Sequence, residues 1–330
     1  MRKNLNLLLA FAVCALCASG AQAGTPESAA FIDRGRSLFD FGRWTDARHE
    51  FLQARETLSP ADREAAFRDE RSYAVVHGDI VARTERCDSV PDRFEARCPG
   101  SVYANDVRFS LGSYYCAEGD MKRAREAFEK TDYKALGRAR KEQYDVRMGY
   151  VEFTDGDYDK AFGYFDRIGP QSEYADHALY YKSYIDYAEG RYGRAKQGFT
   201  ALQRSDAYRD VVPYYLLQIE FHEGNYRYVV ENGGKLVQRA VPERRRELER
   251  VIAESWFRLG DFNRTIEHLD AFAAAGGELD RDGSYLMGFS LYRTAHYPEA
   301  AEYLRRACGA EDALTQNASY HLADCYLRAG

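Results

Sequence analysis

A short motif that returns along the chain at a nearly constant interval constrains the fold more than any other feature. The motif is clearest in TDGDYDKAFGYF, residues 154–165, and it is centred on a glycine. Its copies are centred on Gly42, Gly119, Gly156, Gly190, Gly224 and Gly260, with Ala295 in the place of the glycine and a weak copy at Gly78. Neighbouring centres lie 34 to 41 residues apart. A repeat of this period is typical of a solenoid, in which small units bury their apolar faces against their neighbours.

Each copy of the motif predicts two helices joined at the central glycine. This glycine is placed to end the first helix in a left-handed conformation, and the Asp or Asn that often follows it is placed to cap the second helix. In five copies an alanine lies five residues after the central position, and Phe or Leu follows it one helical turn later on the same face; these alanines are Ala47, Ala124, Ala161, Ala195 and Ala300. The position seven residues before the glycine is mostly small: Gly35, Gly112, Gly149, Ser183, Ala253, Gly288 and Ala323. We therefore predict that the two helices approach each other closely at this small residue.

The order of a small residue, an aromatic residue, Gly-Asp-Tyr and then A-x-x-x-F resembles the tetratricopeptide repeat (TPR) over nearly the whole chain after residue 23. The segment CPGSVYANDVRFSLGSYY, residues 98–115, also resembles repeats in bacterial envelope proteins of the outer-membrane assembly lipoprotein and cell-division coordinator type, although Cys98 replaces the expected aromatic residue. The resemblance implies an all-α fold, a right-handed α-solenoid of about eight to nine TPR-like helix-turn-helix repeats. It also implies a protein that binds other proteins and is not an enzyme.

Two parts of the chain depart from the repeat. The second repeat, around residues 61–98, is degenerate, because Arg71 stands at its small position and Cys87 in the place of the phenylalanine. The segment NASYHLADCYLRAG, residues 317–330, is typical of a first helix with apolar residues on both sides, whereas the last helix of an array needs a polar outer face. We therefore expect residues 24–330 to form one array that continues beyond Gly330.

The first 23 residues have the features of a secretory signal peptide. Arg2 and Lys3 precede an apolar run over residues 7–16, and Ala21-Gln22-Ala23 forms a cleavage site with small residues. We expect cleavage after Ala23, secretion across the inner membrane and localisation in the periplasm, without stable insertion into a membrane. Association with a membrane complex stays open.

Charge, cysteine spacing and the absence of catalytic motifs exclude several classes of function. The formal net charge of −6 argues against nucleic acid as the main partner. Beyond the signal peptide lie Cys87, Cys98, Cys116, Cys308 and Cys325, none of which forms a C-x-x-C pair of the zinc or redox kind. Cys87 and Cys98 are placed to pair across an irregular segment, whereas Cys116 and Cys325 have the spacing of buried core residues. Since H-E-x-x-H, G-x-S-x-G and phosphate-loop motifs are absent, we predict no catalytic residue, metal site or cofactor.

The candidate binding site consists of residues that the resemblance assigns to the concave surface, ten and six residues before each central glycine. The candidate contacts of a protein or peptide partner are Tyr150, Tyr180, Tyr184, Tyr214, Gln218, Tyr285 and Phe289. Tyrosine suits recognition because it joins a rigid apolar ring to a hydrogen-bonding end. The alternative is that these tyrosines only pack between helices. The family's clamp for a C-terminal carboxylate needs Asn six and Lys ten residues before the glycine, and this chain has neither.

The leading hypothesis is an exported, non-catalytic scaffold in cell-envelope assembly or organisation, and two alternatives stay open. A glycan-binding envelope protein would stack sugars on paired flat aromatic residues, and the tryptophans of this chain are only Trp44 and Trp256. The chain is alternatively the helical arm of a larger enzyme whose catalytic domain lies beyond Gly330.

Overall fold

The computed structural model describes residues 26–40, 44–59, 75–79, 89–101 and 103–329. The chain divides into two units, one ending at Ala178 and the other beginning at Leu179. The predicted signal peptide, Gly42 and Cys87 lie outside the described residues. All regular secondary structure within the described ranges is helical, which confirms the predicted all-α class.

In the described part of the first unit, seven α-helices have defined ends. They are α1 (Pro26–Asp40), α2 (Trp44–Thr57), α3 (Val90–Arg97), α4 (Ala104–Glu118), α5 (Met121–Glu129), α6 (Arg138–Asp155) and α7 (Tyr158–Phe165). A short helical segment covers residues 75–79, and a 3-10 turn, Tyr133–Ala135, leads into α6. The helix α3 belongs to the repeat whose sequence departs most from the motif.

The second unit continues the same alternation of helices. Its elements are α8 (Ala175–Ala188), which contains the boundary between the units, α9 (Tyr192–Leu202), α10 (Val212–His222), α11 (Tyr226–Val237), α12 (Pro242–Leu259), α13 (Phe262–Ala274), α14 (Arg281–Arg293), α15 (Tyr297–Ala307) and α16 (Ala313–Ala329). Turns of two or three residues join the two helices of a pair, so these helices pack side by side in opposite directions. The described helices therefore form TPR-like helix-turn-helix repeats.

The turn inside each helix pair has the backbone conformation that its glycine predicts. The φ angles of these glycines lie between +75° and +84°, at Gly119, Gly156, Gly190, Gly224 and Gly260. Where an aspartate follows, it caps the second helix: Asp157 Oδ1 accepts a hydrogen bond of 3.1 Å from the backbone N–H of Lys160. The asparagine at the equivalent position does not act in this way, because the side chain of Asn225 donates to Glu220 Oε2 at 2.6 Å and makes no cap bond to α11.

The close approach predicted within each pair is present where the first helix carries glycine. A Cβ atom at Gly112 would stand 2.6 Å from the ring of Phe128, and one at Gly149 would stand 2.7 Å from the ring of Phe165. Both rings are fully buried, as are the alanines one turn before them, Ala124 and Ala161. Each glycine therefore provides the space that the ring of the second helix fills.

The described cysteines are free thiols. Cys98 forms no disulfide, so the pairing of Cys98 with Cys87 that the sequence left open is not present. Cys116 and Cys325 are buried among apolar residues, as their spacing predicts, and Cys308 is half-buried.

Candidate functional site

The predicted contact residues are distributed over both units. Tyr150 lies on α6 of the first unit, where it is half-buried and packs against the core of that unit. The other six lie in the second unit, in two aromatic groups: Tyr180, Tyr184, Tyr214 and Gln218 on α8 and α10, and Tyr285 and Phe289 on α14.

The first group belongs to a larger set of aromatic side chains between α8 and α10. We call this set the tyrosine cluster; it consists of Tyr180, Tyr184, Tyr187, Tyr208, Tyr214 and Tyr215. The ring of Tyr215 lies at its centre and meets the rings of Tyr184 and Tyr187 edge-on, each at a centroid distance of 5.7 Å. On the core side, Tyr215 stacks on Phe199 at 4.9 Å with an interplanar angle of 7°. The helices α8, α9 and α10 thus fix the cluster through a buried ring.

The remaining tyrosines are held by ring contacts at the edges of the cluster. Tyr208 precedes α10, and its ring stacks on Tyr180 at 4.7 Å with an interplanar angle of 17°. At the other end Tyr187 contacts Tyr192, whose ring stacks on His222 at 4.7 Å. The aromatic surface therefore extends from the loop before α10 to the end of that helix.

Hydrogen bonds orient two of the phenol groups. The Tyr180 hydroxyl donates to the Tyr215 hydroxyl at 3.3 Å, and the Tyr214 hydroxyl donates to a carboxylate oxygen of Glu247 on α12. The guanidinium of Arg244 lies 5.2 Å from the centroid of the Tyr214 ring, on its face. The ring of Tyr214 is therefore fixed by one acidic and one basic side chain of α12.

Burial raises the pKa of four phenols of the cluster, those of Tyr180, Tyr187, Tyr214 and Tyr215. It raises the pKa of Tyr187 to about 12, with a further contribution from the neighbouring hydroxyls. The pKa of Tyr214 is also raised, first by burial and then by the hydrogen bond to Glu247. The Tyr187 hydroxyl therefore stays protonated over the whole physiological range, whereas the Tyr180 and Tyr214 hydroxyls already donate their protons to Tyr215 and Glu247.

Exposure differs among the candidate residues of this group. Tyr180, Tyr184 and Tyr214 are half-buried, so each leaves part of its ring accessible. Gln218 is only 7% exposed. Sequence reasoning missed Tyr187, Tyr208 and Tyr215, which lie outside the positions ten and six residues before the turn.

Tyr285 and Phe289 form part of a second aromatic group. Their rings stack at 5.8 Å, and Phe289 also contacts Phe257 at 5.6 Å and the imidazole of His321 at 4.8 Å. The Arg293 guanidinium lies 5.8 Å from the centroid of Phe289, on the same group. Burial lowers the pKa of His321, so this imidazole is neutral near pH 7. The group therefore combines apolar rings with one fixed positive charge.

Two further properties concern the described residues only. Within them, no group of three or more His, Cys, Asp or Glu side chains is placed to hold a metal ion. None of their helices is both long enough and apolar enough to cross a membrane.

Comparison with known proteins gives structural neighbours and no sequence relative. No protein-family model and no curated protein matches the sequence. Among solved structures, a tetratricopeptide repeat protein from Parabacteroides merdae ATCC 43184 is 14% identical, with a TM-score of 0.41 and coverage of 92% of this chain and 100% of that one. The APC/C hetero-tetramer Cut9-Hcn1 is 12% identical, with a TM-score of 0.44 and coverage of 89% of this chain and 55% of that one. The TPR-like repeats are therefore recognised from the helix pairs of this chain alone.

Proposed function

We propose that the protein is an exported, non-catalytic scaffold that holds a protein or peptide partner against the tyrosine cluster. The observation that carries this proposal is the half-exposed state of Tyr180, Tyr184 and Tyr214, whose rings are fixed by neighbours and yet remain accessible. Partial exposure of several adjacent rings is typical of a recognition surface.

Rigidity is the second reason to assign recognition to this cluster. Ordering a mobile side chain on binding costs about 0.5–1.5 kcal/mol, and rings already held by stacking and hydrogen bonds avoid most of that cost. Tyr180 is held by the ring of Tyr208 and by the hydroxyl of Tyr215, and Tyr214 by Glu247 and Arg244. Since the Tyr180 and Tyr214 hydroxyls already donate within the protein, they can accept hydrogen bonds from backbone N–H groups of a partner.

The cellular setting of the proposal comes from the sequence. A signal peptide over residues 1–23 and cleavage after Ala23 would place the scaffold in the periplasm, in the assembly or organisation of the cell envelope. The net charge of −6 disfavours nucleic acid as the partner. Tyr285 and Phe289 in the second unit, and Tyr150 in the first unit, are each proposed as contacts of a protein or peptide partner.

The test uses Tyr184 and Tyr214, which are accessible and do not lie at the centre of the cluster. A photo-crosslinking amino acid at either position should form a covalent adduct with one protein or peptide in living cells, whereas the same amino acid at Tyr228 should not. Tyr228 is a suitable control because it is an exposed tyrosine on α11, away from the cluster. The adduct identifies the partner for measurement with purified components.

With that partner, the double variant Tyr184→Ala/Tyr214→Ala should bind at least about 30-fold more weakly by calorimetry, since interface tyrosines often contribute about 2 kcal/mol or more. Tyr228→Ala should bind as the unchanged protein does, and circular dichroism should show equal helicity for all three. Equal affinity of the double variant, or adducts equally abundant at Tyr228, would refute the assignment to the tyrosine cluster.

A further inference from the structure

Two arginines of α6, Arg140 and Arg147, differ from the other arginines around them. Residues 103–178 contain seven arginines, and five of these form ion pairs: Arg108 with Glu95, Arg123 with Asp120, Arg125 with Glu152, Arg138 with Glu142 and Arg167 with Asp145. Arg140 and Arg147 have no carboxylate of the described residues within ion-pair distance, although both are half-buried. A guanidinium that loses hydration without gaining an acidic partner costs free energy of folding. Stability therefore does not explain this pair.

Both guanidiniums lie against one buried aromatic ring. Arg140 and Arg147 are seven residues apart on α6, which places them on the same face of the helix. The guanidinium of Arg140 lies 4.9 Å from the centroid of Phe109 on α4, and that of Arg147 lies 5.4 Å from it. Phe109 is 1% exposed, and Phe128 holds its ring at a centroid distance of 5.7 Å. Packing on a fixed ring therefore holds two positive charges in one region between α4 and α6.

The acidic side chains of this region leave the two arginines unpaired. Burial lowers the pKa of Arg147, and the positive charge of Arg140 lowers it as well, so the two cations repel each other. Asp106 on α4 faces Arg140 beyond ion-pair distance, and burial raises the pKa of this carboxyl while Arg140 opposes the shift. Glu173, beside Tyr174, is exposed and pairs with neither arginine. The region therefore lacks an anion in contact with its two guanidiniums.

The other titratable groups next to the arginines are neutral at pH 7. His77 lies beside Arg140, and burial lowers the pKa of this imidazole to about 3. Cys116 and Tyr174 lie beside Arg147, and burial raises the pKa of the thiol and of the phenol. None of the three side chains can balance a positive charge in this state.

From this geometry we infer that Arg140 and Arg147 form a binding site for a phosphate group, either the free anion or a monoester. One guanidinium pairs two parallel N–H groups with two oxygens, so a single arginine already satisfies a carboxylate. A phosphate group has oxygens on several sides and can accept hydrogen bonds from two guanidiniums. Near pH 7 it carries about −1.5 to −2 charges, which suits two cations. The site lies in the first unit and is independent of the function proposed for the tyrosine cluster in the second.

The test is calorimetric titration of the purified protein at constant ionic strength. Inorganic phosphate is the probe for the free anion, and phenyl phosphate is the probe for a monoester; the tighter of the two identifies the source. Arg147→Met should weaken binding at least about tenfold, since hydrogen bonds to a charged group contribute that much or more. Arg147→Lys should weaken it too, because lysine keeps the charge but loses the paired N–H groups. In the matched control Arg138→Met, binding should be unchanged: the substitution removes one positive charge from the same helix, where the Arg138 side chain is 91% exposed.

Urea denaturation separates loss of the site from loss of the fold. About 10 mM phosphate, compared with chloride at equal ionic strength, should raise the midpoint of the unchanged protein and leave that of Arg147→Met where it was, since a ligand stabilises only the state that binds it. Arg140→Met should weaken binding in the same way and replaces Arg147→Met if that variant does not fold. Binding of neither probe, equal losses in Arg147→Met and Arg138→Met, or binding of acetate as tight as that of phosphate would each overturn the inference.

Discussion

Replacing Gly149 by alanine tests the close contact between the two helices of a pair. A Cβ atom at this position would stand 2.7 Å from Cε1, 2.9 Å from Cζ and 3.0 Å from Cδ1 of Phe165. Since Phe165 is fully buried, its ring cannot move without displacing its neighbours. Overpacking of this kind costs about 1–3 kcal/mol, whereas alanine in a helix is favoured over glycine by about 1 kcal/mol. We therefore expect Gly149→Ala to lower the free energy of unfolding by up to about 2 kcal/mol.

Gly163 supplies a matched control in the same helix pair. It lies on the exposed side of α7, and no heavy atom lies within 4 Å of the position that its Cβ would take. Gly163→Ala should therefore raise the free energy of unfolding by about 0.5–1 kcal/mol through helix propensity alone. Urea denaturation followed by circular dichroism should show the midpoint moving in opposite directions for the two variants. A rise of the midpoint in both would show that the two helices do not meet as closely at Gly149 as argued.

A second substitution separates the clash from other effects of the added methyl group. Phe165→Leu shortens the side chain that this methyl group would meet, so its cost should be smaller in the Gly149→Ala background than alone. We expect a coupling free energy of about 0.5–3 kcal/mol from the double-mutant cycle, which is the range for residues in direct contact. Simple additivity of the two changes would contradict the contact.

Two other predictions concern residues with unusual backbone or charge. Ala295 has a φ of +64° and is the only non-glycine residue with positive φ among those described. Ala295→Gly should therefore relieve strain and raise the free energy of unfolding, measured by urea titration, by up to about 1 kcal/mol. Gly260→Ala should lower the free energy of unfolding, because it places a side chain at a positive φ. The guanidinium of Arg147 lies 5.4 Å from the centroid of Phe109, and burial lowers its pKa. No carboxylate of the described residues lies within ion-pair distance of it. Arg147→Met should therefore leave the midpoint of urea denaturation unchanged or raise it. Arg125→Met should instead cost about 2 kcal/mol, because it leaves the buried carboxylate of Glu152 without its partner at 3.1 Å; equal effects of the two substitutions would contradict this reasoning.

The sequence predicts the turn and the contact within each helix pair well, because both depend on residues close together in the sequence. The conformation of Gly156, the cap at Asp157 and the contact between Gly149 and Phe165 join residues at fixed separations along two adjacent helices. Local chemistry failed at Asn225 because Glu220, five residues earlier, competes for its side chain. A motif that accepts either Asp or Asn after the glycine does not predict this competition.

The tyrosine cluster is predicted only in part, since its members come from different helices and one loop. Tyr180, Tyr184 and Tyr214 follow from their distance to the turn, but Tyr215 differs from Tyr214 by one position and points toward Phe199. Tyr208 lies between α9 and α10, where no helical register applies, and it joins the cluster by stacking on Tyr180. The adjacent pair Tyr214-Tyr215 was the one feature of the sequence that could have indicated Tyr215, because neighbouring residues on a helix point toward different surfaces.

The residues that pack the two helices of a pair together differ from those at the variable positions on its surface. This difference explains how such an array can carry a specific site. The small residue, the alanine and the large apolar residue recur in most helix pairs and are buried, for example Gly149, Ala161 and Phe165, whereas the turn glycine is exposed. The position ten residues before the turn varies freely, from Phe109 to Tyr180 to Arg250. Since each pair is stabilised mainly by its own contacts and those with its neighbours, the variable position can change without unfolding the rest. Substitutions at Tyr184 and Tyr214 should therefore remove binding and preserve the helices, whereas Gly149→Ala should destabilise a pair that lies outside the tyrosine cluster.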